Sequence, residues 1–141
     1  MGYFLALAQQ VAFGMAYFWP LTLLLAAAWV WAFASTHSQP KRRRWRLLVL
    51  GCLPPFALPV AILVCGVVFV SGPPWVTGVE APAYPGYLIN GLLLLHLPLA
   101  GLATWWWRGQ RPAVVASWVC AGYVSLGAGL ISTMSVTGIW L

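Results

Sequence analysis

The sequence predicts an all-α integral membrane protein: four transmembrane helices in a bundle, with both termini on the outer, non-cytoplasmic side. Three observations lead there. Of the 141 residues, 62% are hydrophobic and only 6% are charged, against roughly 25% charged in an ordinary soluble domain. A chain this short cannot hide that much apolar side chain from water, so lipid must be its solvent. The apolar residues also fall into four stretches, each suited to crossing about 30 Å of hydrocarbon at about 1.5 Å per residue. Finally, the basic residues are confined to two breaks: Lys41, Arg42, Arg43, Arg44 and Arg46 in one, Arg108 and Arg111 in the other. The positive-inside tendency places both breaks in the cytoplasm. Localisation in the cytoplasmic membrane follows if the source is bacterial.

The first span is expected over residues 11–34 of an apolar stretch that opens at Tyr3 and is interrupted only by Gln9 and Gln10. Those two amides suit the outer headgroup region. Pro20 removes one backbone donor and predicts a kink, while Ala8, Ala12 and Ala16 repeat every four residues and favour close helix approach. No positively charged segment precedes the stretch, so retention rather than cleavage as a signal peptide is expected.

Residues 35–46 form the first inner loop, with His37 exposed in it and Trp45 settled at the interface. Its basic run is a topology anchor, and its natural partners are anionic lipid headgroups, worth about 1 kcal/mol per basic residue near the surface. The second span, residues 47–70, carries Pro54, Pro55 and Pro59 in its first half. Were it to turn back as a re-entrant loop, Arg108 and Arg111 would land on the side opposite Lys41 to Arg46. A kinked but complete crossing is therefore expected. Its proline break frees backbone carbonyls that need partners, which makes it a candidate wall for a small polar cavity.

Residues 71–87 form the outer loop, without Lys or Arg and rich in Pro and Gly. Trp75, Tyr84 and Tyr87 suit the outer interface, and Glu80 is the one acidic residue of the chain. The third span, residues 88–107, ends on the belt Trp105, Trp106 and Trp107. His96 sits near its midpoint, where an ionisable side chain is costly and marks a candidate site. Its bland alternative is a neutral imidazole donating to a carbonyl or to Asn90, Thr104 or a serine. His96 and Asn90 are the candidate cofactor-binding residues, although at 100° per residue they point about 120° apart. Pro98 adds a second break in backbone bonding beside His96.

Residues 108–112 make the second inner loop, with Pro112 placed to start the last helix. The fourth span, residues 113–138, has the clearest periodicity. Ser117, Ala121, Ser125, Ala128, Ser132 and Ser135 fall within about an 80° arc, and Val119, Tyr123, Leu126, Leu130 and Met134 lie opposite. In lipid the small face is the packing face, against this chain or another subunit.

The chemical inventory is sparse. The chain has no Asp, one Glu and two His, and no nucleophile-elbow, zinc-protease or phosphate-loop pattern, so catalysis by the chain alone is not expected. Cys52, Cys65 and Cys120 lie within apolar segments without metal-ligand spacing and read as small hydrophobes. No metal site is expected. The sequence names no cofactor, although a pigment or haem taking one protein ligand would find it in His96. The net charge of +6 is spent on topology, and nucleic acid is not an expected partner. The expected function is that of a non-catalytic accessory or scaffold subunit of a larger membrane complex, with other membrane subunits or further copies of itself as partners. The alternative is a small ligand-, pigment- or lipid-binding or transport protein with a cavity near His96.

Overall fold

The computed structural model describes residues 2–37, 40–69 and 84–137. Every element among them is helical: α1 (Gly2–Tyr17), α2 (Trp19–Ala34), α3 (Lys41–Leu47), a π-helical turn (Leu48–Cys52), a 3-10 turn (Pro54–Phe56), α4 (Ala57–Val68), α5 (Tyr84–Trp106), a 3-10 turn (Arg108–Gln110) and α6 (Arg111–Thr137). Three continuous helical stretches, Lys41–Val68, Tyr84–Trp106 and Arg108–Thr137, are long and apolar enough to cross a membrane, and the bent pair α1–α2 makes a fourth if it counts as one span. Most of the outer loop, including Trp75 and Glu80, lies outside the described residues.

α6 is the central element, touched by α1, α2, α4 and α5. Its small face explains why. Ser117, Ala121, Ser125, Ala128, Ser132 and Ser135 are all buried, whereas Val119, Leu126 and Leu130 on the other side are exposed. The tightest contact is with α4. A Cβ built on Gly66 would lie 2.6 Å from Ser132 Oγ and 2.9 Å from its Cα. Beside it the Ser135 hydroxyl donates to the Gly66 carbonyl at 2.9 Å. The contact lies among a buried cluster of Leu7, Val11, Ile62, Ile89, Ala128 and Val136, and a second cluster, Leu47, Cys52, Ala113, Val114 and Trp118, sits toward the start of α6. α5 lies at the periphery, its apolar window 6% buried against 39% for the window of α6.

The first helical pair departs from the expected kink. The chain breaks at Phe18, two residues before Pro20, and the two arms meet at 94°. Pro20 stands in the first turn of α2, where its missing N–H breaks no bond within that helix. The N–H it lacks would have continued α1, which is why α1 ends here. Thr22 covers the loose end by donating to the Met15 carbonyl at 2.8 Å. Since that proton is committed, the Tyr123 hydroxyl donates to Thr22 Oγ1, 3.1 Å away. Despite the bend, the pair follows α6 in one direction. Val11 faces Gly127, Thr22 meets Tyr123, the Cys120 thiol reaches the Leu25 carbonyl and Trp29 Nε1 donates to Ser117 Oγ. The pair does not double back. The packing of α1 runs through Leu7 and Val11, while Ala12 and Ala16 are exposed.

The basic run is a second correction: Lys41 to Arg46 is not loop but the opening of a helix. Pro40 at its N-cap is itself outside the helical region (φ −57°, ψ 139°), and Lys, Arg and Leu favour helix after it. The prolines then act as the sequence suggests. Pro54 and Pro55 have no N–H to give the carbonyls of Leu50 and Gly51, and the ladder widens to a π-turn, with Leu53 N–H on the Leu48 carbonyl at 3.0 Å.

Gly66→Ala is expected to destabilise the chain by about 1–3 kcal/mol, because serine backbone cannot yield as a flexible side-chain tip would. Gly91, with open space where its Cβ would go, is the control: Gly91→Ala gains up to about 1 kcal/mol of helix propensity. Thermal unfolding in detergent checks both, and equal melting temperatures for the two variants would refute the close-approach account.

Candidate functional site

His96 is brought to the surface of α6 by a missing side chain. A Cβ on Gly122 would lie 3.1 Å from His96 Nε2, so glycine there admits the imidazole. His96 is 8% exposed, and its Nε2 stands 2.8 Å from the Trp118 carbonyl. A carbonyl only accepts, so Nε2 carries the proton and Nδ1 is left with a lone pair. The His96 and Trp118 rings meet edge to face with centroids 5.0 Å apart. Burial leaves His96 Nδ1 and Trp118 Nε1 without a hydrogen-bond partner. One is an acceptor and the other a donor, on touching rings.

Both residues line a groove of about 550 Å³ between α2 and α5, floored by α6. Leu25 forms one wall, Leu97, Ala100 and Thr104 the other, and Val119 and Tyr123 part of the floor. Thr104 is occupied with its own helix, its hydroxyl 2.9 Å from the Ala100 carbonyl. Trp118 also borders a second groove, of about 590 Å³, between α4 and α5.

The other sequence candidates fall elsewhere. Asn90 is exposed and lies outside the His96 groove, as the angle between them implied. Arg44 donates to His37 Nδ1 at 3.0 Å and rests over the Phe33 ring. Arg108 lies over Trp105. A Cβ on Gly109 would sit 3.4 Å from Arg43 Nη2, which brings the two basic segments together. Cys52, Cys65 and Cys120 are free thiols, with Cys52 directed to the Ala113 carbonyl and Cys120 to that of Leu25. Within the described residues no three metal-ligating side chains converge. Sequence reasoning missed Trp118 and Gly122. Their role depends on the register of α5 against α6, which no periodicity in either helix encodes.

These features define a class, an all-helical chain with three to four helices long and apolar enough to span a membrane. Compared with known proteins, the chain matches no family model, no curated sequence and no solved structure.

Histidine labelled with ¹⁵N gives a direct check of the site. His96 is expected to show a protonated Nε2 and a bare Nδ1. A signal from the opposite tautomer would contradict the bond from Nε2 to the Trp118 carbonyl and leave Nδ1 without its lone pair.

Proposed function

We propose that the chain is a small polytopic membrane protein that takes an amphipathic, hydroxyl-bearing molecule sideways from the bilayer into the groove between α2 and α5. In this reading it crosses the membrane four times, with the α1–α2 pair as one broken span, the two basic segments in the cytoplasm and both termini outside. The single pass of α1–α2 along α6 supports four crossings, and the meeting of Arg43 with Gly109 supports a common side for the basic segments.

One observation carries the functional reading: the unmatched acceptor His96 Nδ1 and the unmatched donor Trp118 Nε1. Each unpaired buried polar atom costs about 1–3 kcal/mol. A hydroxyl brought within reach by a shift of the two rings would answer both, accepting from the indole N–H and donating to the imidazole lone pair, while an apolar tail follows the leucine-lined groove. A ketone or ether satisfies the indole alone.

The accessory-subunit reading now rests on a different surface. The small face of α6 is used within the chain, so a partner subunit would dock on the exposed leucine and tryptophan side chains of α5, which suit lipid equally well. Ligand binding is the reading that the geometry favours.

Native mass spectrometry from nanodiscs, with solvent extraction of the bound fraction, tests it. The wild type is expected to retain a hydroxyl-bearing molecule, and His96→Leu and Trp118→Phe are each expected to lower its occupancy about tenfold, the equivalent of about 1.4 kcal/mol per lost hydrogen bond. An empty wild-type groove, or retention unchanged in both variants, would overturn the proposal.

A further inference from the structure

The second groove has a different character, and it ends in charge. Leu50, Pro54, Ala57 and Ala61 form one wall, on the second helical stretch, and Leu99, Leu102 and Trp106 stand on α5 opposite. The first wall continues beyond the groove. Arg43 and Arg46 precede Leu50 by seven and four residues on one helical stretch, so they share its face. Arg43 reaches Gly109, next to Arg108, which directly follows the groove residue Trp107. The basic residues thus lie beyond the Trp107 end of the apolar channel, Arg43 beside Gly109 and Arg108 over the Trp105 ring.

Two magnitudes identify the occupant. From Leu50 to Ala61 the groove runs about 16 Å at 1.5 Å per residue, which matches the depth of one leaflet, about half of a 30 Å hydrocarbon core. All seven Lys and Arg residues belong to the two basic segments, and the one acidic residue of the chain, Glu80, falls in sequence between α4 and α5, outside the described residues. Among the described residues no carboxylate side chain is present to pair with the arginines, and an anionic partner would complement them. We propose that this groove is a binding site for an anionic glycerophospholipid of the basic-side leaflet, one acyl chain between α4 and α5 and the phosphate on Arg43, Arg46 and Arg108. The inference rests on the membrane reading above but not on the His96 groove. It differs from general attraction of a basic surface to anionic lipid, since it requires a particular face of α3 and a channel of one-leaflet depth.

Nanodiscs of phosphatidylcholine doped with phosphatidylglycerol test it, the retained lipid being counted by native mass spectrometry. The wild type is expected to retain one phosphatidylglycerol selectively. Arg43→Gln with Arg46→Gln is expected to weaken retention by about a hundredfold or more, from two lost charge-assisted hydrogen bonds to the phosphate. Lys41→Gln with Arg44→Gln removes the same charge from roughly the opposite face of α3 and is expected to weaken retention at least several-fold less, through diffuse attraction alone. Ala57→Phe, at an exposed position inside the groove, is expected to expel the lipid without disturbing buried packing. Equal losses in the two charge variants would reduce the site to diffuse attraction and overturn the proposal, as would full retention by Ala57→Phe or displacement of the lipid by inorganic phosphate. Recovery of the wild type outside the nanodiscs would instead sink the membrane reading itself.

Discussion

The contact on which the rest of the structure depends is the approach of α4 to α6 at Gly66 and Ser132, where there is no room for one more carbon atom. In a lipid surrounding, whose tails are as apolar as leucine, burial against another helix would gain little from the hydrophobic effect, and close van der Waals contact with interhelical hydrogen bonds would supply the attraction. Small side chains are what permit both. The Ser135 to Gly66 bond forms because the backbones are near enough. The same device recurs along α6, where Gly129 leaves a place for Leu93 and Gly122 a place for His96.

Trp118 is the pivot of the functional geometry. Its carbonyl holds the His96 ring, its indole forms part of both grooves, and its Nε1 is one half of the unmatched pair. One residue therefore borders two sites of unlike chemistry. The His96 groove has an unmatched acceptor and an unmatched donor buried beside it. The other is lined by aliphatic and tryptophan side chains, with the basic segments beyond its Trp107 end. The Thr22 clasp serves a structural end by comparison, since it joins the two arms of the broken pair to α6 through Tyr123.

Much of the helical layout can be read from sequence because apolar run length and the 3.6-residue repeat are local properties. The six small positions of α6 follow from spacing alone, and the same six are buried. The bend at Phe18 was harder to place. A proline marks the absence of a donor, but where the helix yields depends on whether Thr22 and Tyr123 are there to receive the loose end. The helical state of Lys41 to Arg46 was obscured by its charge, which suggests a loop although arginine and lysine are good helix formers. Of the candidate site, His96 stood out as an ionisable group in an apolar span. Its partners did not, because Trp118 and Gly122 acquire meaning only once α5 and α6 are set in register. Asn90 was attractive as a polar residue, and helical geometry already placed it on another face.

The position of α6 in the chain has a consequence for how the structure is reached. It follows α1, α2, α4 and α5 in sequence, yet it is the element against which each of them packs. Chains emerge from the ribosome N-terminus first, so the earlier helices are made before their common partner exists. Until α6 arrives, Gly66 has no serine to meet, Thr22 has no tyrosine and His96 has no carbonyl. Nascent helices in that state have only the contacts they make with one another, among them α1 with α4 and α4 with α5. α6 then closes these contacts, so this part of the packing forms only once that helix has been made.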